Sequence, residues 1–198
     1  MENGCHDLLM VLAGGIIGLL SSLIILGIQQ WINHKGETKI YYKFLGIPAQ
    51  NIDNPGWGCR EEGEWIALFV PMAVELINTS NSTRVVRDLS LHLYNGTEYV
   101  ARMVQIEYTR GKDSAEYGTD NNAYSFTLMP RSVQKQKCLF CYKILKGQKQ
   151  LILFDTMKMS YYDEKDHPHE ALINTGISNC WEQYVHEADR DWVLLERK

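Results

Sequence analysis

The chain has 198 residues, 45% of them apolar and 22% charged, with a formal net charge of −4. That composition belongs to a folded chain rather than a disordered one, and the length holds one ordinary domain plus a short appendage. With 20 Lys and Arg against 24 Asp and Glu, no basic field is present for a phosphate backbone. Nucleic-acid binding is therefore not expected.

Residues 1–7 form a short tail. Leu8 to Ile28 reads LLMVLAGGIIGLLSSLIILGI, 21 residues without a charge. At about 1.5 Å per residue, a helix of that length matches the ~30 Å hydrocarbon core of a bilayer. Trp31 follows where an interfacial aromatic is favourable. A cleaved signal peptide would show a basic leading segment and a small-residue cleavage site, and neither is present. The run is expected to be a single membrane-spanning helix, with the bilayer as its partner. Gly14, Gly18 and Ser22 recur every four residues and form one small-residue stripe. Through such a stripe a second helix, including a second copy, could approach closely.

Glu2, His6 and Asp7 precede the helix, whereas Lys35, Lys39 and Lys43 follow it. Positive residues favour the cytoplasmic side, so the large C-terminal part is expected in the cytoplasm of a cell membrane. Cys59, Cys138, Cys141 and Cys180 form no dense disulfide pattern, in keeping with that side. Asn78, Asn81 and Asn95 pull the other way. Each opens an Asn-x-Ser/Thr acceptor pattern, although all three also fall where turns are expected.

Residues 29–39 read as a connector and 40–176 as a domain of strands. Ile40–Leu45 is a first strand, and the Pro- and Gly-rich stretch Asn51–Gly63 a long loop. Trp65–Val70 and Met72–Asn78 are extended runs on either side of Pro71. In Arg84–Tyr94, Leu89, Leu91 and Leu93 alternate with polar residues, the period of a half-buried strand. Asn95-Gly96 is a hairpin signal. Glu98–Thr109 changes phase midway, which suggests a bulge. After the loop Arg110–Asn122 come strands at Tyr124–Met129, Val133–Leu145, Leu151–Phe154 and Met157–Tyr162. Asp163–Glu170 reads as a charged loop. Short strands with turns between them predict a mainly β fold, an antiparallel sandwich of immunoglobulin-like type. In residues 177–198, Trp181, Tyr184, Val185, Ala188, Trp192 and Leu195 fit one helical face, capped by Ser178 or Asn179. A short C-terminal helix is expected, with a last short strand at Trp192–Leu195 as the alternative.

Three stretches carry a resemblance: Val74-Glu75-Leu76-Ile77-Asn78-Thr79-Ser80, then Val85-Val86-Arg87-Asp88-Leu89, and Leu128-Met129-Pro130 before Val133. They resemble immunoglobulin- or fibronectin-like modules on small, uncharacterised bacterial single-pass membrane proteins. The segment from Gly18 through Lys39-Ile40-Tyr41-Tyr42-Lys43 is similar to their anchor and first strand. The resemblance implies an architecture and brings no activity, cofactor or site.

Candidate chemistry is sparse. Cys138-Leu-Phe-Cys141 matches C-x-x-C, but three residues apart on a strand the two thiols face opposite sides, which suits neither a zinc knuckle nor a redox pair. His167 and His169, among four carboxylates, have metal-ligand types without a zinc or calcium spacing. Phosphate-loop, dinucleotide, nucleophile-elbow and kinase motifs are all absent. The leading expectation is a non-catalytic, membrane-tethered interaction module without a cofactor. It recruits a protein partner through loops such as the one holding Trp57, itself either a core plug or a binding anchor. A metal-dependent enzyme using His167 and His169, or a small subunit assembling through its helix, are the alternatives.

Overall fold

A computed structural model of the chain describes residues 2–46, 57–107, 116–117, 124–178, 180–182 and 186–196. One helix, α1 (Glu2–His34), precedes an all-β body. Its segment Leu12–Ile32 is long and apolar enough to cross a membrane, and none of it is buried in the rest of the protein. Leu19, Leu23 and Ile24 stand more than 60% exposed.

The connector is shorter than the expected residues 29–39. The helix continues through Gln29, Gln30 and Trp31, none of which breaks it, and β1 (Thr38–Phe44) begins four residues after its end. Only Lys35–Glu37 lies between them, and that strap is fastened. Thr79 Oγ1 accepts from the Glu37 amide and donates to the Glu37 carbonyl, each at 2.9 Å. Arg84 donates to the Gly36 carbonyl at 3.2 Å. Gly36 has φ of 122°, and a Cβ there would meet the Ser80 backbone at 2.7 Å. Glycine is required both for the conformation and for the close approach.

The body is two antiparallel sheets facing one another as a β-sandwich. Beyond β1 its strands are β2 (Gly58–Glu62), β3 (Trp65–Asn78), β4 (Arg84–Asn95), β5 (Glu98–Arg102), β6 (Val104–Glu107), β7 (Glu116–Tyr117), β8 (Tyr124–Leu128), β9 (Val133–Leu145), β10 (Thr156–Tyr162), β11 (Pro168–Thr175) and β12 (Val193–Leu194). The first sheet runs β12-β1-β3-β9-β6-β7 with β2 also on β3, and the second runs β11-β10-β4-β5 with β8 also on β4. Inward residues alternate. From the first sheet come Leu68, Val70, Met72, Val74 and Leu76, and from the second Leu89, Leu91, Leu93, Met157 and Met159, all in one core. Period-two burial of this kind selects the register, because a slip of one residue would turn each apolar set into water.

Both long strands share one flank between two partners. Along β3, β1 covers Met72–Asn78 and β2 covers Trp65–Phe69. Pro71 sits near the handover and does not divide the strand. Its carbonyl accepts from the Leu45 amide at 2.8 Å. Its nitrogen faces that same flank, so the missing donor costs no bond to β9. Along β4, β8 covers the first half and β5 the second. Asp88 there has φ of 58°, a left-handed conformation that Asp tolerates better than most residues. The extra residue moves the inward phase from Val86 to Leu89.

Several expectations are corrected by tertiary pairing. The bulge expected in Glu98–Thr109 is present, since Val100 is the extra residue between Tyr99 and Ala101, and a change of sheet is added to it: β5 pairs with β4, the chain crosses at Met103, and β6 pairs with β9. Gly58–Glu62 is a strand, because β3 extends beyond β1 and offers free backbone groups there. Residues 51–56 and nearly all of Arg110–Asn122 lie outside the described residues. Leu151–Phe154 is not a strand; it follows a 3-10 turn at Lys146–Gln148, and Phe154 packs edge-on against Trp181. His169 and Glu170 belong to β11 rather than to a loop. The C-terminal helix is absent among the described residues of 177–196. Ile177, Cys180, Trp181 and Leu195 are buried separately in the core. Val193 and Leu194 pair with Tyr42 and Tyr41, so the last short strand is the form observed. An unpaired β1 edge outbids a helical stripe that would satisfy only its own backbone. Tyr184 and Val185 lie outside the described residues.

Replacing Gly36 with Ala is expected to destabilise the chain by about 1–3 kcal/mol, the usual cost of a strained backbone position. Thermal unfolding in detergent micelles measures it. An unchanged melting temperature would show that the strap is not held against Ser80.

Candidate functional site

Two regions collect polar and aromatic side chains in non-random geometry. The first is a cleft of about 360 Å³ at the open edge between β1 and β11, lined by Tyr42, Phe44, Trp57, Ile173, His186 and Asp189 among others. Trp57 is its floor. It is 2% exposed and lies between the rings of Phe44 (centroids 4.9 Å apart) and His186 (4.2 Å). Backbone bonds between Trp57 and His186 run in both directions, at 2.8 and 3.3 Å. With both faces occupied, Trp57 acts as a plug and offers no free ring to a ligand. Asp189 accepts the Phe44 amide at 2.8 Å, and Tyr42 closes the gap between sheets by donating to the Ile173 carbonyl at 3.2 Å. Burial, reinforced by Asp189, pushes the Tyr42 phenol up. Burial also holds His186 below its ordinary value, against the pull of Glu182.

The second region is a polar array on the outer face of the second sheet. His92 on β4, Ser160 on β10 and Glu170 on β11 stand side by side because Ser160 pairs with both Ser90 and Glu170. His92 Nε2 is 3.1 Å from Ser160 Oγ, and Nδ1 is 3.4 Å from Glu170 Oε1. Ser90 Oγ lies 2.9 Å from Ser160 Oγ. Lys158 donates to Glu170 at 2.9 Å, and Tyr94 donates to it as well. An ionised carboxylate only accepts, so His92 Nδ1–H donates to Glu170 and Nε2 accepts from the Ser160 hydroxyl. Burial lowers the His92 pKa and outweighs Glu170, which pulls it up. Burial raises Glu170, but its three donors, Tyr94 first, outweigh that and hold it below the usual carboxylate range. Tyr94 is pushed up to about 12 by burial and by its bond to Glu170.

Serine, imidazole and carboxylate stand here in the order used for acyl transfer. Such chemistry also needs donors aimed at a developing oxyanion. β10 lies between β4 and β11 and is paired on both flanks, with Ser160 in register with Ser90 and Glu170. Neither the Trp57 cleft nor the smaller one, about 100 Å³ beside Gly36 and Arg84, is lined by Ser160. The geometry is that of a cross-strand lock that ties three strands through side chains.

The residues singled out by sequence fall elsewhere. His169 and His167 both approach Asp163 Oδ2, at 3.1 and 3.4 Å. Burial raises Asp163, yet its bonds from His169 and from the His167 and Lys165 amides hold it well below the carboxylate range. Among the described residues no three His, Cys, Asp or Glu side chains converge as a metal site. Cys138 faces the main core and Cys141 a small outer cluster with Phe69 and Ile106, as their spacing on a strand requires. Burial pushes Cys59 and Cys138 up to about 12, so neither thiol is a ready nucleophile. A Cβ at Gly14 or Gly18 meets nothing within 4 Å, and Ser22 bonds back to the Gly18 carbonyl at 2.9 Å. Asn78 is 1% exposed; its amide donates to Ser82, Leu128 and Met129 carbonyls and accepts from Ser80. It has no place for a sugar in this fold. Asn81 and Asn95 are exposed.

The array escapes sequence reasoning because His92 is 68 residues from Ser160 and 78 from Glu170. The one local signal is that His92 lies on the outward phase between Leu91 and Leu93.

No family model and no curated protein matches the chain. Among solved structures it is similar to one described as "X-ray structure of Northeast Structural Genomics Consortium target SoR45", at 10% identity and a TM-score of 0.32, over 79% of this chain and 99% of that one. A likeness of that degree carries no argument.

Trp57→Ala is expected to cost about 3–5 kcal/mol, as for other buried aromatics, while Trp57→Phe costs clearly less; thermal melts of the two variants distinguish a plug from a surface anchor. The lock and the Trp57 cleft together give a pH dependence. His92 and His186 have folded values below the ordinary 6.5, so the unfolded chain binds more protons as pH falls through 6.5, and stability declines there. Glu170 adds a second loss as pH falls below 4.5 toward its lowered value. In His92→Gln the slope of melting temperature against pH between 7 and 5 should flatten; an unaltered slope would remove His92 from the account.

Proposed function

We propose that this chain is a single-pass membrane-anchored interaction module, non-catalytic, whose immunoglobulin-like sandwich is held at the cytoplasmic surface to recruit a protein partner. The observation that carries the reading is the helix segment Leu12–Ile32, apolar and wholly unburied by the protein. A stripe of leucines and isoleucines that no part of the sandwich covers is costly in water and favourable in hydrocarbon. Trp31 beneath the Lys35 ammonium, 5.1 Å from its ring centre, suits the boundary between lipid and water.

The cytoplasmic side is supported by Lys35, Lys39 and Lys43 after the helix and by four free, buried cysteines, which suit a reducing compartment. Immunoglobulin-like character is supported by two antiparallel sheets between which the chain crosses several times, as at Met103. The non-catalytic reading is supported by the pairing of β10 on both flanks and by the rings stacked on Trp57.

Alkaline carbonate extraction of cell membranes tests the anchor, and the full chain should stay with the membrane fraction. Cys5 tests the side. With the other thiols buried, a membrane-impermeant maleimide should label Cys5 on intact cells. Labelling that appears only after lysis would reverse the orientation.

A further inference from the structure

The end of the sandwich from which the helix leaves also carries exposed apolar side chains. On β8–β9, Met129 is 63% exposed and Val133 55% exposed, with exposed Arg131 between them. Arg131 has φ of 53°, and its side chain donates to Asn81 Oδ1 at 2.8 Å.

This turn is fastened to the strap through a short chain of contacts. Gly36 lies against the Ser80 backbone. The Ser80 carbonyl accepts from the Arg131 amide at 3.1 Å. The Asn78 side chain holds the Met129 carbonyl at 3.0 Å. The helix ends at His34, and each residue of the strap reaches at most ~3.5 Å. A bilayer whose boundary falls at Trp31 and Lys35 therefore lies within a few residues of Ser80, and with Gly36 and Glu37 bonded to the sandwich only Lys35 separates the fastened strap from the helix end.

Resting on the anchored reading above, we infer that the turn Met129–Ser132 is a second membrane contact, with Met129 entering the interfacial zone and Arg131 meeting lipid phosphates. A methionine in this position gains by leaving water. An arginine beside it matches an anionic leaflet, and Lys35 on the strap side adds charge of the same sign, while Lys39 is paired with Glu37 at 3.8 Å. The opposite end of β9, 13 residues away, is roughly 40 Å distant and stays in water. The chain thus stands on its membrane through a helix and one turn, which fixes both the height and the tilt of the sandwich.

The test uses the full chain with C5S, reconstituted in phosphatidylcholine–phosphatidylglycerol vesicles. A polarity-sensitive fluorophore is placed singly through M129C, L151C or L19C, and lipids carry a doxyl quencher near the headgroup or along the chain. Leu151, 82% exposed, reports the far end, and Leu19 reports the helix. Quenching and a blue shift at 129 and 19, with neither at 151, support the contact. Quenching at 19 without quenching at 129 overturns it and leaves the anchor standing. No quenching at 19 removes the anchor and the contact together. Combining M129C with R131E should reduce the quenching at 129; matching thermal melts show that each variant remains folded.

Discussion

The whole architecture hangs on β3. It is 14 residues long, pairs with β9 along nearly its full length on one side, and divides its other side between β1 and β2. That division fixes where the helix joins, because β1 can only lie on the half of β3 that ends at Asn78. It also fixes where Trp57 lands, because β2 begins directly after it. A strand with two flanks in use must be continuous in hydrogen bonding. Pro71 is tolerated only because its nitrogen faces the handover and not β9.

The second sheet repeats this logic with different chemistry. β4 also divides a flank, between β8 and β5, and the irregular residue there is Asp88, which takes a left-handed conformation and pairs with Arg102. Opposite that flank, one ladder joins β10 to β4 and another joins β11 to β10, and the His92, Ser160 and Glu170 side chains tie all three. A polar array of this kind stabilises only when every member has a partner, which its chain of donors provides. Its partners lie on three strands, so it reports on the register of all three at once.

How much of this the sequence reveals depends on whether the signal is local. The alternation at Leu89, Leu91 and Leu93, the Asn95-Gly96 turn with Gly96 at φ 59°, and the opposed faces of Cys138 and Cys141 all follow from backbone geometry within a few residues. The apolar helix is legible for the same reason. Gly58–Glu62 and Pro168–Thr175 are not, since their largely polar residues become strands only by pairing with β3 and β10. The spacing of Trp181, Trp192 and Leu195 fits a helix, yet each side chain is placed by a different neighbour. Trp192 lies beneath Lys43 and Lys135, at 5.4 and 5.5 Å, and Leu195 donates its amide to Ile40. The lock and the Trp57 stack are illegible because they join residues that only the completed fold brings together.

The pairing of β12 with β1 has a consequence for how the chain is made. The first strand of the sandwich finds one neighbour early, when β3 appears, but its outer edge stays open until Val193 and Leu194 have been synthesised. During that interval a row of bare amides and carbonyls is exposed, and neighbouring nascent chains carry the same row. Lys39 and Lys43 sit on this strand and place charge along it. Charge on an open edge is a general device against pairing with another chain.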